Sequence, residues 1–174
     1  MAGNRLMSRI HGCCARLFRK LLYISSNSTT SGCPSVEPSE AISRFVVHHS
    51  DIQRSTGTIR FKRLMPSRNK RTGRLETSIC RSGTLENVEL WAICSEHFDT
   101  HAQNPAIGEG TAKANVVFTE GLAFDANGIP FPLHADIIGW KDEGSLPDEE
   151  KKNHWMDKAQ RMAPQFKYTS RPSV

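Results

Sequence analysis

The stretch that most constrains the fold is Gly121 to Trp140, GLAFDANGIPFPLHADIIGW. It is the longest weakly charged run beyond the N-terminal region. Asn127-Gly128 within it is the strongest short hairpin signal in the chain, because both residues tolerate the left-handed backbone of a tight turn between strands. Leu122 to Phe124 before that turn and Leu133 to Gly139 after it read as strands, with Pro130 and Pro132 stiffening the approach. The adjacent Ile137 and Ile138 predict burial on both faces of the second strand. The run closes on a compact cluster of His134, Asp136 and Trp140.

The surrounding chain supplies further short elements. Phe45 to Val47 suit a strand, Ser50 to Gly57 a turn, and Thr58 to Met65 a second strand. Leu75, Thr77 and Ile79 alternate with polar neighbours as in a half-buried third strand. Thr84 is a candidate N-cap, with Glu86 and Glu89 favouring the start of a helix that runs to about His97. Asp99 to Gly110 reads as a long loop, and Val116 to Phe118 as another strand. A closing helix begins near Pro147, buries Trp155, Ala159, Met162 and Phe166, and stops at Pro164. From Lys167 the tail is expected to fray.

This order lacks a regular strand-helix-strand alternation. It predicts an α+β domain: a mainly antiparallel sheet of about five or six short strands, packed by two helices and preceded by a basic N-terminal extension. A length of 174 residues suits one ordinary domain. We expect it to span residues 44–166, with residues 1–43 outside the core and 167–174 as the tail.

Charge divides the chain unevenly. Residues 1–81 hold 15 Lys/Arg against 4 Asp/Glu, whereas residues 82–174 hold 8 against 14. In the first 24 residues there is no acid, and Leu6, Ile10, Cys13, Leu17, Leu21 and Ile24 recur at helical spacing among arginines. Followed by the Ser/Thr-rich Ser25 to Ser31, this basic amphipathic segment has the composition of an organellar transit peptide over residues 1–31, or of a membrane-surface anchor. Residues 5–24 would then meet the import machinery or a membrane surface. The alternative is an upstream start that adds residues of no structural role. Charges interrupt any apolar run long enough to span a bilayer. Five cysteines, an odd number with two adjacent, suggest no disulfide framework and favour reduced thiols in an intracellular, by default cytoplasmic, setting.

Three constellations carry chemical potential. In the first, His134 and Asp136 lie two apart on a strand and so share a face, the carboxylate orienting an imidazole able to move a proton, with Arg81 at another strand end as an anion clamp. Such a trio would serve an enzyme acting on a phosphate-containing or nucleotide substrate. The bland alternative is that His134 caps a turn and Asp136 satisfies backbone donors. In the second, Cys94, His97 and His101 offer three ligands of zinc type without a fourth, so no metal site is assigned, and Cys94 also fits an apolar helical position.

The third is a basic hairpin, Arg60, Lys62, Arg63, Arg68, Lys70, Arg71 and Arg74, with its tip between Pro66 and Gly73. Clustered cations of this kind follow phosphates, or dock an acidic protein, or only solubilise a loop. With Phe61 the one aromatic nearby, the stacking platform of single-strand readers is missing. The glycine-rich Gly108 to Lys113 matches neither the Walker pattern nor GxGxxG, and no GxSxG, HExxH or CxxC occurs. No cofactor is implied. The leading expectation is a small intracellular binding or accessory domain that contacts an anionic partner, nucleic acid or an acidic protein surface, through the basic hairpin.

Overall fold

The computed structural model describes residues 33–100, 104–141 and 147–173. Within them nine strands and three α-helices form an α+β architecture. The strands are β1 (Ala41–Val46), β2 (Ile52–Gln53), β3 (Thr58–Ile59), β4 (Ser67–Arg68), β5 (Leu75–Arg81), β6 (Gly108–Lys113), β7 (Ala123–Asp125), β8 (His134–Ile138) and β9 (Lys167–Ser170). The helices are α1 (Asn87–Ile93), α2 (Asn115–Thr119) and α3 (Asp148–Met162). Every strand pair is antiparallel, in the order β2-β3-β9-β6-β1-β5-β8-β7, with β4 also alongside β5.

Alternation along the strands sorts side chains into two cores. Ile42 and Val46 of β1, Ile79 of β5 and Ile137 of β8 meet Val117 of α2 and Ala159 and Met162 of α3. The neighbouring Phe45 and Cys80 turn the other way, onto Leu90, Trp91, Ile93 and Cys94, joined by Phe131 and Leu133. Helices therefore cover both faces of the sheet, which explains why its central strands are apolar in consecutive residues. Gly108 and Gly110 sit where neighbouring side chains cross β6. A Cβ at Gly108 would strike the Tyr168 ring, and one at Gly110 would strike Ile59. The glycine-rich run is thus a packing feature of the sheet.

Several elements differ from the sequence expectation. Instead of five or six strands and two helices there are nine and three, because β2, β3 and β4 are two residues long and carry no readable period. Val116 to Phe118, read as a strand, lies in α2, where Val117 enters the core while Phe118 stays exposed, so tertiary burial overrides β propensity. The loop expected over Asp99 to Gly110 gives way to β6 at Gly108. The second strand expected to reach Met65 ends at Ile59, followed by a 3₁₀ turn over Phe61–Arg63. Glu86, not Thr84, caps α1, in a reciprocal box with Glu89. The helix then widens into a π turn over Cys94–Asp99.

The chain ends also enter the fold. β1 opens at Ala41, and Val36 is buried in the first core, upstream of the expected start at Arg44. Lys167–Ser170, expected to fray, is β9, paired with β6 from Thr111↔Lys167 to Gly108↔Ser170 and with β3 at Thr58↔Lys167. Beyond it, Arg171 bonds Asp99 (2.7 Å) and Ser95 (2.7 Å) and lies over the Trp91 ring. The closing helix agrees with expectation: Pro147 precedes α3, and Met162 leads into a 3₁₀ turn that contains Pro164. No helix among the described residues is long and apolar enough to cross a membrane. The basic segment 5–24 and the Ser/Thr-rich stretch to Ser31 lie outside the described residues.

Candidate functional site

β5 is the strand that sets the site. On one side it pairs with β8, so that Ser78 lies opposite Asp136 and Cys80 opposite His134. Its other side is shared. β1 meets it at Arg81 and Cys80, β4 at Glu76 and Leu75, and between these contacts the sheet forks. Arginines fill the fork: Arg44 donates from Nη1 to Ser78 O (2.5 Å) and from Nε to Arg63 O (3.1 Å), and Arg63 donates from Nη2 to Phe45 O (2.8 Å). Backbone carbonyls left without a strand partner thereby gain charged donors.

Burial, and then Arg63, draw the Arg44 guanidinium down to about 10, against Asp136 and Asp51, which raise it. It remains a cation at neutral pH. Arg63 is lowered by burial too, with Asp51 opposing at 3.6 Å.

His134 and Asp136 both emerge on the α1 face, as their spacing requires. Instead of a tight turn at Asn127-Gly128, residues 126–133 join β7 to β8 and turn at Pro132 and Leu133, and this connection supplies a residue that the sequence reading did not assign to the site. Asn127 donates from Nδ2 to Asp136 Oδ2 (2.8 Å), while its Oδ1 accepts from Ile129 N (3.0 Å) and lies 2.9 Å from His134 Nδ1. Asp136 Oδ1 accepts from Ser78 Oγ (2.9 Å).

This network admits one tautomer. Turning the Asn127 amide over would set its NH₂ against the Ile129 N–H and its oxygen against a carboxylate, so Oδ1 must face the ring and Nδ1 must carry the proton. In the neutral imidazole Nε2 is then an acceptor, 3.6 Å from Asp136 Oδ1. Burial holds the ring below its ordinary pKa, Arg44 acts in the same sense and Asp136 opposes them, so the neutral form prevails near pH 7. Asn127, not Asp136, orients the imidazole. Asp136 stands beside the nitrogen left open.

The His134 ring forms part of the wall of a cavity of about 240 Å³. Phe45, Phe98, Phe131 and His97 contribute rings, and Ser78, Cys80 and Arg44 contribute polar atoms. Phe131 meets His134 edge-on and His97 nearly face-on, both with centroids 5.5 Å apart.

Arg81 is not part of this site. Its side chain is spent on the N-terminal segment: Nε and Nη2 grip both oxygens of Glu40 (2.7 and 2.9 Å), and Nη1 bonds Pro34 O (2.6 Å). The residue next to Cys80 alternates to the opposite side of the strand, so the anion clamp expected beside His134 is a strut for the chain entering β1. Trp140 leaves the cluster as well. The chain turns at Gly139 (φ +86°), Trp140 Nε1 donates to Ile137 O (3.1 Å), and its ring joins the first core.

Of the zinc-type trio, His101 lies outside the described residues. The thiol of Cys94 is buried, directed at Asp99 (3.8 Å) and pushed up by burial and by Asp99 to about 12, so it stays protonated. His97 stacks on Phe131. Cys80 is likewise raised by burial.

The basic hairpin is β4–β5, and its seven cations divide. Arg63 faces Asp51, and Arg74 bonds Glu76 (3.0 Å) and Asp125 (2.5 Å). Arg60, Lys62, Arg68, Lys70 and Arg71 are exposed. Glu76, buried beneath the turn, also accepts from Asn69 Nδ2 (2.5 Å) and Thr72 Oγ1 (2.9 Å). Burial alone would raise its pKa, but the bonds from Asn69, Thr72 and Arg74 outweigh this and hold it low. Asn69 Oδ1 collects the N–H groups of Arg71 (2.8 Å) and Thr72 (3.3 Å), which fixes the tip.

No known family model matches the chain, and neither a curated protein nor a solved structure matches it, so the functional reading rests on these residues and their geometry.

Proposed function

We propose that the protein is a small binding or accessory domain that contacts an anionic partner, nucleic acid or an acidic protein surface, through the β4–β5 hairpin and the turn leading into it. The observation that carries this reading is the partition of charge. The two acids of the stretch, Asp51 and Glu76, face inward to Arg63 and Arg74, while Arg60, Lys62, Arg68, Lys70 and Arg71 are exposed. Because Glu76 and Asn69 brace the turn, Lys70 and Arg71 stand on a tip with little ordering left to do on binding.

Double charge reversal, Lys70→Glu with Arg71→Glu, tests it by fluorescence anisotropy on duplex DNA, single-stranded RNA and polyglutamate at low and high salt. The expected result is saturable wild-type binding to at least one probe that weakens with salt. The variant then loses about tenfold in affinity and, on duplex DNA, about two units of log–log salt slope, roughly 0.9 per phosphate contact. The thermal midpoint should hold, since both side chains are exposed. Binding that the reversal leaves unchanged, or that ignores salt, overturns the reading.

A second reading, an enzyme acting on a phosphate-containing or nucleotide substrate, draws support from the neutral, oriented His134 beside Asp136. With Arg81 held by Glu40, it retains a proton-transfer pair but loses its anion clamp.

A further inference from the structure

We infer that the cavity on the α1 face is a binding site for a small, neutral, planar heterocycle that donates a ring N–H to His134 Nε2. Three observations converge on that chemistry. The first is the unmet acceptor. His134 Nδ1–H is committed to Asn127 Oδ1, so Nε2 and Asp136 Oδ1 face each other as two acceptors 3.6 Å apart, with no donor between them among the described residues. The His134 side chain is only 9% exposed, and its ring forms part of the cavity wall. An acceptor that opens on a cavity walled mostly by rings takes its donor from water or from a ligand, and a flat ligand that brings an N–H makes this bond while covering the apolar wall.

The second observation is the shape and lining. Two ring pairs border the space, Phe131 on His97 at 5.5 Å and Phe45 on Phe98 at 5.5 Å, which suits a flat aromatic body. A volume of about 240 Å³ accommodates one or two fused rings and is smaller than a typical drug-sized pocket.

The third is the charge balance, which separates this ligand from a phosphate. Arg44 is the cation on the cavity wall, and Asp136 acts on it with opposite sign, while Asp51 faces Arg63. These pairings leave the site without excess positive charge for an anion. A carbonyl or ring acceptor on the ligand is enough to meet Arg44, whose Nε and Nη1 already bond Arg63 O and Ser78 O. The inference is independent of the hairpin reading and can fail or stand without it.

The experiment uses two isomers of one formula. 2-Pyridone carries an N–H donor and an oxygen acceptor on a flat ring, whereas pyridine N-oxide has the acceptor and no N–H. Each is titrated into the full chain, followed by NMR with ring-labelled histidine and phenylalanine. For 2-pyridone we expect saturable shifts at Phe45, His97, Phe98, Phe131 and His134, with affinity about tenfold tighter than for the N-oxide, the discrimination of one buried hydrogen bond. The free protein should show the Nδ1–H tautomer at His134, and its Nε2 resonance should move on binding. In His134→Phe, which keeps a ring but has no acceptor, the preference should fall to within about twofold. Equal affinity for the isomers in the wild type, no saturable shift at these residues, or a preference that survives in a folded H134F each overturns the inference. Should H134F not fold, the wild-type isomer ratio and the Nε2 resonance still decide it.

Discussion

The two faces of β5 are built from alternate residues of one seven-residue strand, yet they do different things. Leu75, Thr77 and Ile79 belong to a face that α3 seals and that ends at Arg81; within it the Thr77 hydroxyl donates to Leu64 O (3.1 Å). Glu76, Ser78 and Cys80 belong to the other, where His134 and Asp136 of β8 are also polar and a cavity remains under the π turn. At its centre the first face is closely packed, with Ile42, Ile137 and Met162 almost wholly buried. The second holds its polar groups by mutual hydrogen bonds and keeps an open acceptor. Stability and candidate function are thus separated by a strand's thickness.

The comparison is testable by what each face loses. The largest effect should come from the packed face: Ile137→Ala removes a fully buried side chain, and denaturant unfolding should show a loss of about 2–5 kcal/mol. A much smaller loss would mean that this core is not filled, and the contrast would fail.

On the polar face, Asn127→Ala strips His134 Nδ1 and Asp136 Oδ2 of their partner. A loss of about 1–3 kcal/mol is expected, together with release of the Nδ1–H tautomer seen in the histidine nitrogen resonances. A tautomer that persists without Asn127 would show that the amide does not set it.

The smallest effect belongs to Glu76 and depends on pH. Its folded pKa lies below the ordinary value of 4.5, so the ionised carboxylate contributes stability that is present above that value and lost as pH falls through the folded pKa. Wild type should exceed Glu76→Gln by about 1 kcal/mol at neutral pH, and the gap should close as pH drops below 4.5. A gap that widens in acid would reverse the assigned sign.

Much of the α1 face was legible in the chain. The spacing of His134 and Asp136 set them on one side of a strand, whereas the tight turn expected at Asn127-Gly128 is a longer connection that turns only at Pro132 and Leu133. That Asn127 would bridge the pair was not legible, because its role depends on this connection folding back within 3 Å of β8. Arg81 illustrates the converse. A cation at a strand end looked available, and only the path of residues 34–40 shows it to be engaged. The basic hairpin was visible as composition, but which arginines are internal depended on Asp51, Glu76 and Asp125, two of them distant in the chain from their partners.

By itself the sequence determined the α+β class, the closing helix behind Pro147 and the shared face of His134 and Asp136. Each of these follows from local periodicity, from fixed backbone angles, or from a two-residue repeat, and needs no knowledge of neighbours. The tertiary structure alone decided that Lys167–Ser170 is an interior strand, that Val116 to Phe118 is helical, that Arg44 and Arg63 fill a fork in the sheet, and that Nε2 of His134 is left open. Those outcomes arise between segments dozens of residues apart, where backbone pairing and buried hydrogen bonds outweigh the preferences of any single segment.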